Sequence, residues 1–247
     1  MKWLFVILIA TLLGATAAFL IWATVIPSPM SDAFEALNSN DRVEIENGDW
    51  LTFRPRHSES EIGVIFYPGA RVDNRAYSIT MKAIAERGYL VVVPRMPLNM
   101  ALFSPNKAAE IESKFPEIKK WVIGGHSMGG AFAAQYAASN KESIGGLFFW
   151  AAYPAGSGDL TNSKISVLSV YGSQDGVATP QEVLNGAKLL PSDTVFREIT
   201  GGNHAQFGSY GAQSGDGEAT ITREQQQRAT VDVTLEFLDS VTAKLKK

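Results

Sequence analysis

Uninterrupted apolar runs, alternating with segments of helical spacing, are what most constrain the fold of this chain. Ile62–Tyr67 (IGVIFY) and Tyr89–Val93 (YLVVV) show no polar alternation, the pattern of strands covered on both faces. Trp121–Gly124, Ile144–Ala152, Ile165–Tyr171 and Val195–Ile199 read as further strands. Between them, Arg75–Arg87 carries apolar side chains at Ile79, Ala83 and Ile84 and stops at Gly88, as a helix does. Lys107–Phe115, Met128–Ser139 and Thr179–Leu190 are also helical; in the last, Thr179 is an N-cap and Pro180 takes the first helical position. Arg223–Ala243 is the closing helix. This order requires an α/β fold, a mostly parallel central sheet with helices on both faces. Arg42–Glu46 and Trp50–Phe53 flank Asn47-Gly48, a hairpin signal that predicts an antiparallel edge. No repeat or second boundary interrupts residues 42–247, which read as one domain. Gly208–Gly217 is too short to link domains and reads either as an ordered loop near a site or as a mobile surface loop.

Ahead of this domain, no side chain from Trp3 to Ile26 is charged. A helix of that length rises about 36 Å, enough to cross a hydrocarbon core of roughly 30 Å. Residues 1–30 are therefore read as a single-pass membrane anchor. The alternative is a cleaved signal segment, for which Ala15-Thr16-Ala17 resembles a processing site, but the apolar run continues well past it. Pro27, Pro29 and Ser31 end the helix, and 31–41 reads as a linker. Lys2 precedes the span while Asp32 and Glu35 follow it, which places the domain 42–247 on the extracytoplasmic side of the cell membrane.

Gly125-His126-Ser127-Met128-Gly129 fits G-x-S-x-G and stands between an expected strand and an expected helix, the context that motif needs. Bulk at Gly125 or Gly129 would clash with the neighbouring strand and helix, and the sharp turn exposes the serine hydroxyl at the carboxyl edge of the sheet. A hydroxyl becomes a nucleophile only when a base accepts its proton. The chain has 3 histidines. His126 should project away from the hydroxyl, and His57 lies in a charged segment. His204, in Gly201-Gly202-Asn203-His204 after the last strand, is left as the base. Asp175, in Tyr171-Gly172-Ser173-Gln174-Asp175-Gly176, follows a strand at the same edge and would orient the imidazole; Asp159 and Asp193 do not directly follow strands. The Met128 amide is one expected oxyanion donor and the Ala70 amide, in Tyr67-Pro68-Gly69-Ala70-Arg71, the other. Arg71 and Tyr77 are expected to line a substrate pocket. With 0 cysteines there is no thiolate chemistry, disulfide, Cys-based metal site or lipoprotein anchor. No cofactor or metal is expected, and a net charge of −3 without a Lys/Arg cluster gives no footprint for nucleic acid.

Together these pieces resemble the α/β-hydrolase superfamily: YPGARVD, GHSMGG, YGSQDG and GGNH occur in its order and spacing. Tyr67–Asp73, Val93–Asn99 and His204–Gly208 look like the small bacterial fold-5 branch, which is close to dienelactone hydrolases. Those enzymes use a cysteine nucleophile, so lactone chemistry does not follow from the resemblance. The stretch Tyr153–Lys164, where relatives insert lids, is too short for a large lid. The implied function is a carboxylesterase-like serine hydrolase acting on a small-molecule, lipid or envelope ester. An acyltransferase with the same triad, or an inactive anchored binding protein, are the alternatives.

Overall fold

Because the apolar runs have no polar face, they pair into one sheet buried between two helical layers. The computed structural model describes residues 2–58 and 60–245. Its strands are β1 (Val43–Asn47), β2 (Trp50–Pro55), β3 (Ile62–Tyr67), β4 (Leu90–Pro94), β5 (Lys120–His126), β6 (Ile144–Trp150), β7 (Ser166–Gly172) and β8 (Val195–Ile199), ordered β1-β2-β4-β3-β5-β6-β7-β8. The β1–β2 hairpin turns at Asn47-Gly48, and β2 runs antiparallel to β4; from β4 through β8 every pairing is parallel. The antiparallel edge and the parallel body both follow the expectation from sequence.

The helices are α1 (Lys2–Thr24), α2 (Ser31–Glu35), α3 (Ser78–Ala85), α4 (Lys107–Lys114), α5 (Met128–Ser139), α6 (Pro180–Asn185) and α7 (Arg223–Leu245). Successive strand residues point to opposite faces, so each buried strand feeds two cores. Val64, Phe66, Phe148 and Trp150 meet Met81 and Ile84 of α3 and Leu235 and Leu238 of α7. Ile65, Tyr67, Ile123 and Phe149 meet Ile111 of α4 and Ala133 and Ala137 of α5. α6 begins at a capping box: Thr179 accepts from the Glu182 amide, and the Glu182 carboxylate accepts from the Thr179 amide at 2.9 Å, satisfying two orphan donors.

Phe66 is the centre of the first core, with ring centroids 4.8 Å from Trp150, 4.9 Å from Tyr77 and 6.0 Å from Phe148. Phe66→Ala removes a fully buried ring and leaves a cavity that three large neighbours cannot collapse into. It is expected to lower stability by about 3–5 kcal/mol, measured as a reduced urea midpoint at unchanged m-value.

The long N-terminal apolar run is helical as expected. Trp3–Thr24 has a mean hydropathy of 2.6 and buries none of its most apolar stretch against the rest of the chain. The segment 31–41 differs from the linker expected of it. Its first residues form α2, where Ala33 is fully buried, Asp32 pairs with Arg223, and Ser78 Oγ donates to the Ala33 carbonyl. These partners lie far along the chain, and a short mixed-polarity segment carries no local signal of them.

Candidate active site

In a parallel sheet the strand carboxyl ends share one edge, and the loops leaving them converge there. Here Tyr67 of β3 stands beside Gly125 of β5, and Gly172 of β7 beside Ile199 of β8. The loops carrying Gly69, Ser127, Asp175 and His204 all leave from that edge.

Ser127 occupies the turn between β5 and α5 with φ 54° and ψ −127°, a region that L-residues hold only when their surroundings over-determine it. Two glycines do so. A Cβ on Gly125 would lie 2.5 Å from the Gly129 carbonyl carbon, and one on Gly129 would lie 2.2 Å from the Tyr67 oxygen. The first contact is with the opening turn of α5, as expected; the second is with the end of β3, so Gly129 sets how closely α5 approaches the Gly69 loop. The Ser127 amide donates to the Trp150 carbonyl at 3.0 Å, which fixes the turn from the neighbouring strand.

His204 and Asp175 are brought together: Nδ1 of the imidazole lies 2.9 Å from Asp175 Oδ2, and both side chains are buried. Asp175 Oδ1 accepts from the amides of Val177 at 2.9 Å and Ala178 at 2.7 Å. The carboxylate is therefore fixed in plane, and His204 Nδ1 is the proton donor of the pair. His204 Nε2 is buried with no partner among the described residues. With the proton on Nδ1 it carries a free lone pair, as expected of a base, and no bond to a serine hydroxyl is formed here. In substrate-free sites such bonds are commonly long and tighten on binding.

Two amides expected as oxyanion donors, those of Met128 and Ala70, donate to no intramolecular acceptor among the described residues. The adjacent Gly69 amide is occupied instead. It donates to Tyr77 Oη at 3.0 Å, which leaves the Tyr77 hydroxyl hydrogen for His126 Nδ1 at 2.9 Å. The His126 ring packs 4.5 Å from that of His204. Burial, and secondarily the nearby His204, push His126 well below its ordinary pKa, with a backbone contact to His204 opposing; His126 is a neutral packing residue. Tyr77, expected to line a pocket, is instead fully buried behind the Gly69 loop, and burial raises its hydroxyl pKa. The Arg71 guanidinium donates to the carbonyls of Trp22 and Val25.

Sequence reasoning missed Asp216 and Gln226. Asp216 Oδ1 accepts from the Gly176 amide at 3.2 Å and the His204 amide at 3.1 Å, while Oδ2 accepts from the Ala205 amide at 2.8 Å. One carboxylate thus ties the Asp175 loop to the His204 loop, and Gly208–Gly217 is the ordered loop of the two readings above. Gln226 on α7 pairs with Asn203 like a strand neighbour, accepting from its amide at 2.9 Å and donating to its carbonyl at 2.7 Å. Asp216→Ala releases the amides of Gly176, His204, Ala205 and Gly217 and lets the loops drift apart. It is expected to reduce kcat about 10–100-fold, since displacements near 1 Å cost on that scale, with little change in KM; steady-state kinetics separates the two.

A profile described as "Alpha/beta hydrolase family" matches residues 63–228. No curated protein matches the chain. Among solved structures it is similar to Est1E from Butyrivibrio proteoclasticus, with 12% identity and TM-score 0.61 over 82% of this chain and 100% of that one. It is similar to an alpha-beta serine hydrolase homologue from Coxiella burnetii, with 16% identity and TM-score 0.59 over 81% and 99%. A thermophilic esterase from Thermogutta terrifontis gives 14% identity and TM-score 0.57 over 81% and 94%. At these identities the likeness is one of fold, and it is the fold built above from the apolar runs and the strained turn. With two thirds of its length matched by the family profile, the chain belongs to the alpha/beta hydrolase family.

Proposed function

We propose that the chain is a serine esterase tethered to a membrane by α1. Ser127 Oγ attacks the carbonyl carbon of an ester as His204 Nε2 takes the hydroxyl proton. The resulting oxyanion is held by the Met128 and Ala70 amides, at the positive end of α5. His204 then protonates the departing alcohol, leaving an acyl-Ser127 ester. Water, deprotonated by the same nitrogen, attacks that ester, and the imidazolium returns the proton to Ser127 Oγ as the acyl–oxygen bond breaks and the carboxylic acid leaves. Asp175 keeps the imidazole proton on Nδ1 and stabilises the imidazolium without itself taking the proton. The observation that carries this reading is the buried Asp175–His204 pair, with an unpartnered Nε2, beside a serine in strained backbone.

The membrane tether rests on the length and apolarity of Trp3–Thr24, and the extracytoplasmic side on Lys2 before the span. Fluorophosphonate labelling of the full chain in detergent tests the chemistry. The unmodified protein is expected to label, and Ser127→Ala and His204→Ala to label not at all. A folded, unlabelled wild-type chain would sink the esterase reading.

A further inference from the structure

The outer end of α1 is held by the loop that carries the oxyanion donor. Arg71 Nε donates to the Trp22 carbonyl at 2.9 Å, Nη2 donates to that of Val25 at 3.0 Å, and the guanidinium lies 4.4 Å from the Trp22 ring. Carbonyls at a helix end are orphan acceptors of partial negative charge, so a cation among them fixes the terminus. Asn99 Nδ2 donates to the Ala23 carbonyl at 3.3 Å, while its own carbonyl accepts from the Arg71 amide at 2.7 Å. Arg71, Leu98 and Asn99 have φ of 57°, 51° and 54°. Left-handed backbone at three non-glycine residues persists where packing enforces it, and all three cluster at this junction.

The junction fixes a depth. Trp3 and Trp22 lie about 28 Å apart along the helix axis, close to the roughly 30 Å hydrocarbon core, and tryptophan favours both of its interfaces. Phe19 lies about 5 Å inside the level of Trp22, and it touches Phe103, ring centroids 6.3 Å apart. Phe103 belongs to the turn Ala101–Phe103, which packs on α5, the helix that Ser127 opens. The neighbouring Leu102 side chain is 52% exposed and Phe103 is 45% exposed. An aqueous surface gives this pair nothing to bury against, whereas a bilayer at the level of Trp22 covers both.

We infer that the Ala101–Phe103 turn is embedded in the bilayer surface, so that the Ser127 site opens at headgroup level onto membrane-resident acyl esters. Such amphiphiles hold their ester groups near that level, so the substrate is cleaved where it lies. The inference rests on the proposed reading of Ser127 as nucleophile and of α1 as an uncleaved span.

The chain has 0 cysteines, which makes an introduced one unique. The full chain is reconstituted in phosphatidylcholine vesicles with an environment-sensitive fluorophore on Leu102→Cys, or on Lys141→Cys at the opposite sheet edge. The Leu102→Cys label is expected to shift blue and be quenched by brominated lipid, and the Lys141→Cys label to do neither. Phe103→Asp is expected to slow hydrolysis of monooleoylglycerol in those vesicles at least tenfold, leaving soluble p-nitrophenyl acetate hydrolysis and fluorophosphonate labelling unchanged. A water-exposed label at 102, or equal loss on both substrates, with labelling intact, would overturn membrane docking while the esterase reading stands. A wild-type chain that does not label would bring down the esterase reading, and this inference with it.

Discussion

Asp175→Asn is expected to lower ester turnover about 10⁴-fold and to be more damaging than Asp175→Ala. The asymmetry follows from the acceptor pattern around the side chain. Two backbone amides, those of Val177 and Ala178, point at Oδ1. An asparagine must turn its carbonyl toward them, because its NH₂ cannot accept. That leaves the NH₂ facing His204 Nδ1 across the 2.9 Å contact that Oδ2 makes in the native protein. Two donors cannot share that contact, so the imidazole shifts its proton to Nε2, and the lone pair that should accept the Ser127 proton is gone. Alanine removes the orienting carboxylate but imposes no tautomer, so part of the population keeps a basic Nε2. Steady-state kcat/KM for a soluble ester, measured on both variants with their melting temperatures, checks this. Equal loss in the two would mean that orientation alone, and not tautomer control, is what Asp175 supplies.

How far the sequence reached depended on the range of the interactions involved. β3, α5 and β8 coincide with the expected Ile62–Tyr67, Met128–Ser139 and Val195–Ile199, because each is bounded by local signals: a glycine, a turn or a change of period. The expected helix Arg75–Arg87 is instead a 3₁₀ turn at Asn74–Tyr77 followed by α3, since the Asp73 side chain accepts from the Arg75 amide and tightens the entry. The strained turn at Ser127 and the Asp175–His204 contact were legible because such a turn and strand-end loops leave a mark in glycine and chain order. Tyr77, Asp216 and Gln226 were not. Each acts on backbone 8 to 40 residues away, and a tyrosine, aspartate or glutamine that does so looks locally like any other. Arg71 shows the same limit from the other side: its loop was found, but the carbonyls that its guanidinium binds lie 46 and 49 residues earlier.

Gly129→Ala is expected to cost at least 100-fold in kcat, by a route that leaves Ser127, Asp175 and His204 intact. The added Cβ would stand 2.2 Å from the Tyr67 oxygen and 2.4 Å from the Pro68 oxygen. Both are backbone atoms, so no side-chain rotation relieves the overlap, and ordinary contact is restored only if the loop and α5 separate by about 1 Å. Tyr67 cannot yield easily: its ring is buried, with its hydroxyl donating to the Pro105 carbonyl and accepting from the Ala108 amide. The movement therefore falls on Pro68–Ala70, which carries one proposed oxyanion donor away from the other, on Met128. Losing one such donor costs about 10²–10³ in kcat, and overpacking of this kind costs roughly 1–3 kcal/mol in stability. Fluorophosphonate labelling should slow but persist, since the added Cβ meets the Tyr67 and Pro68 backbone and not Asp175 or His204. Melting temperature and labelling rate together decide the matter. A variant that melts slightly lower and labels slowly fits displacement of the oxyanion loop, whereas native turnover would show that the loop accommodates the methyl group and that the close approach of α5 to β3 does not govern catalysis.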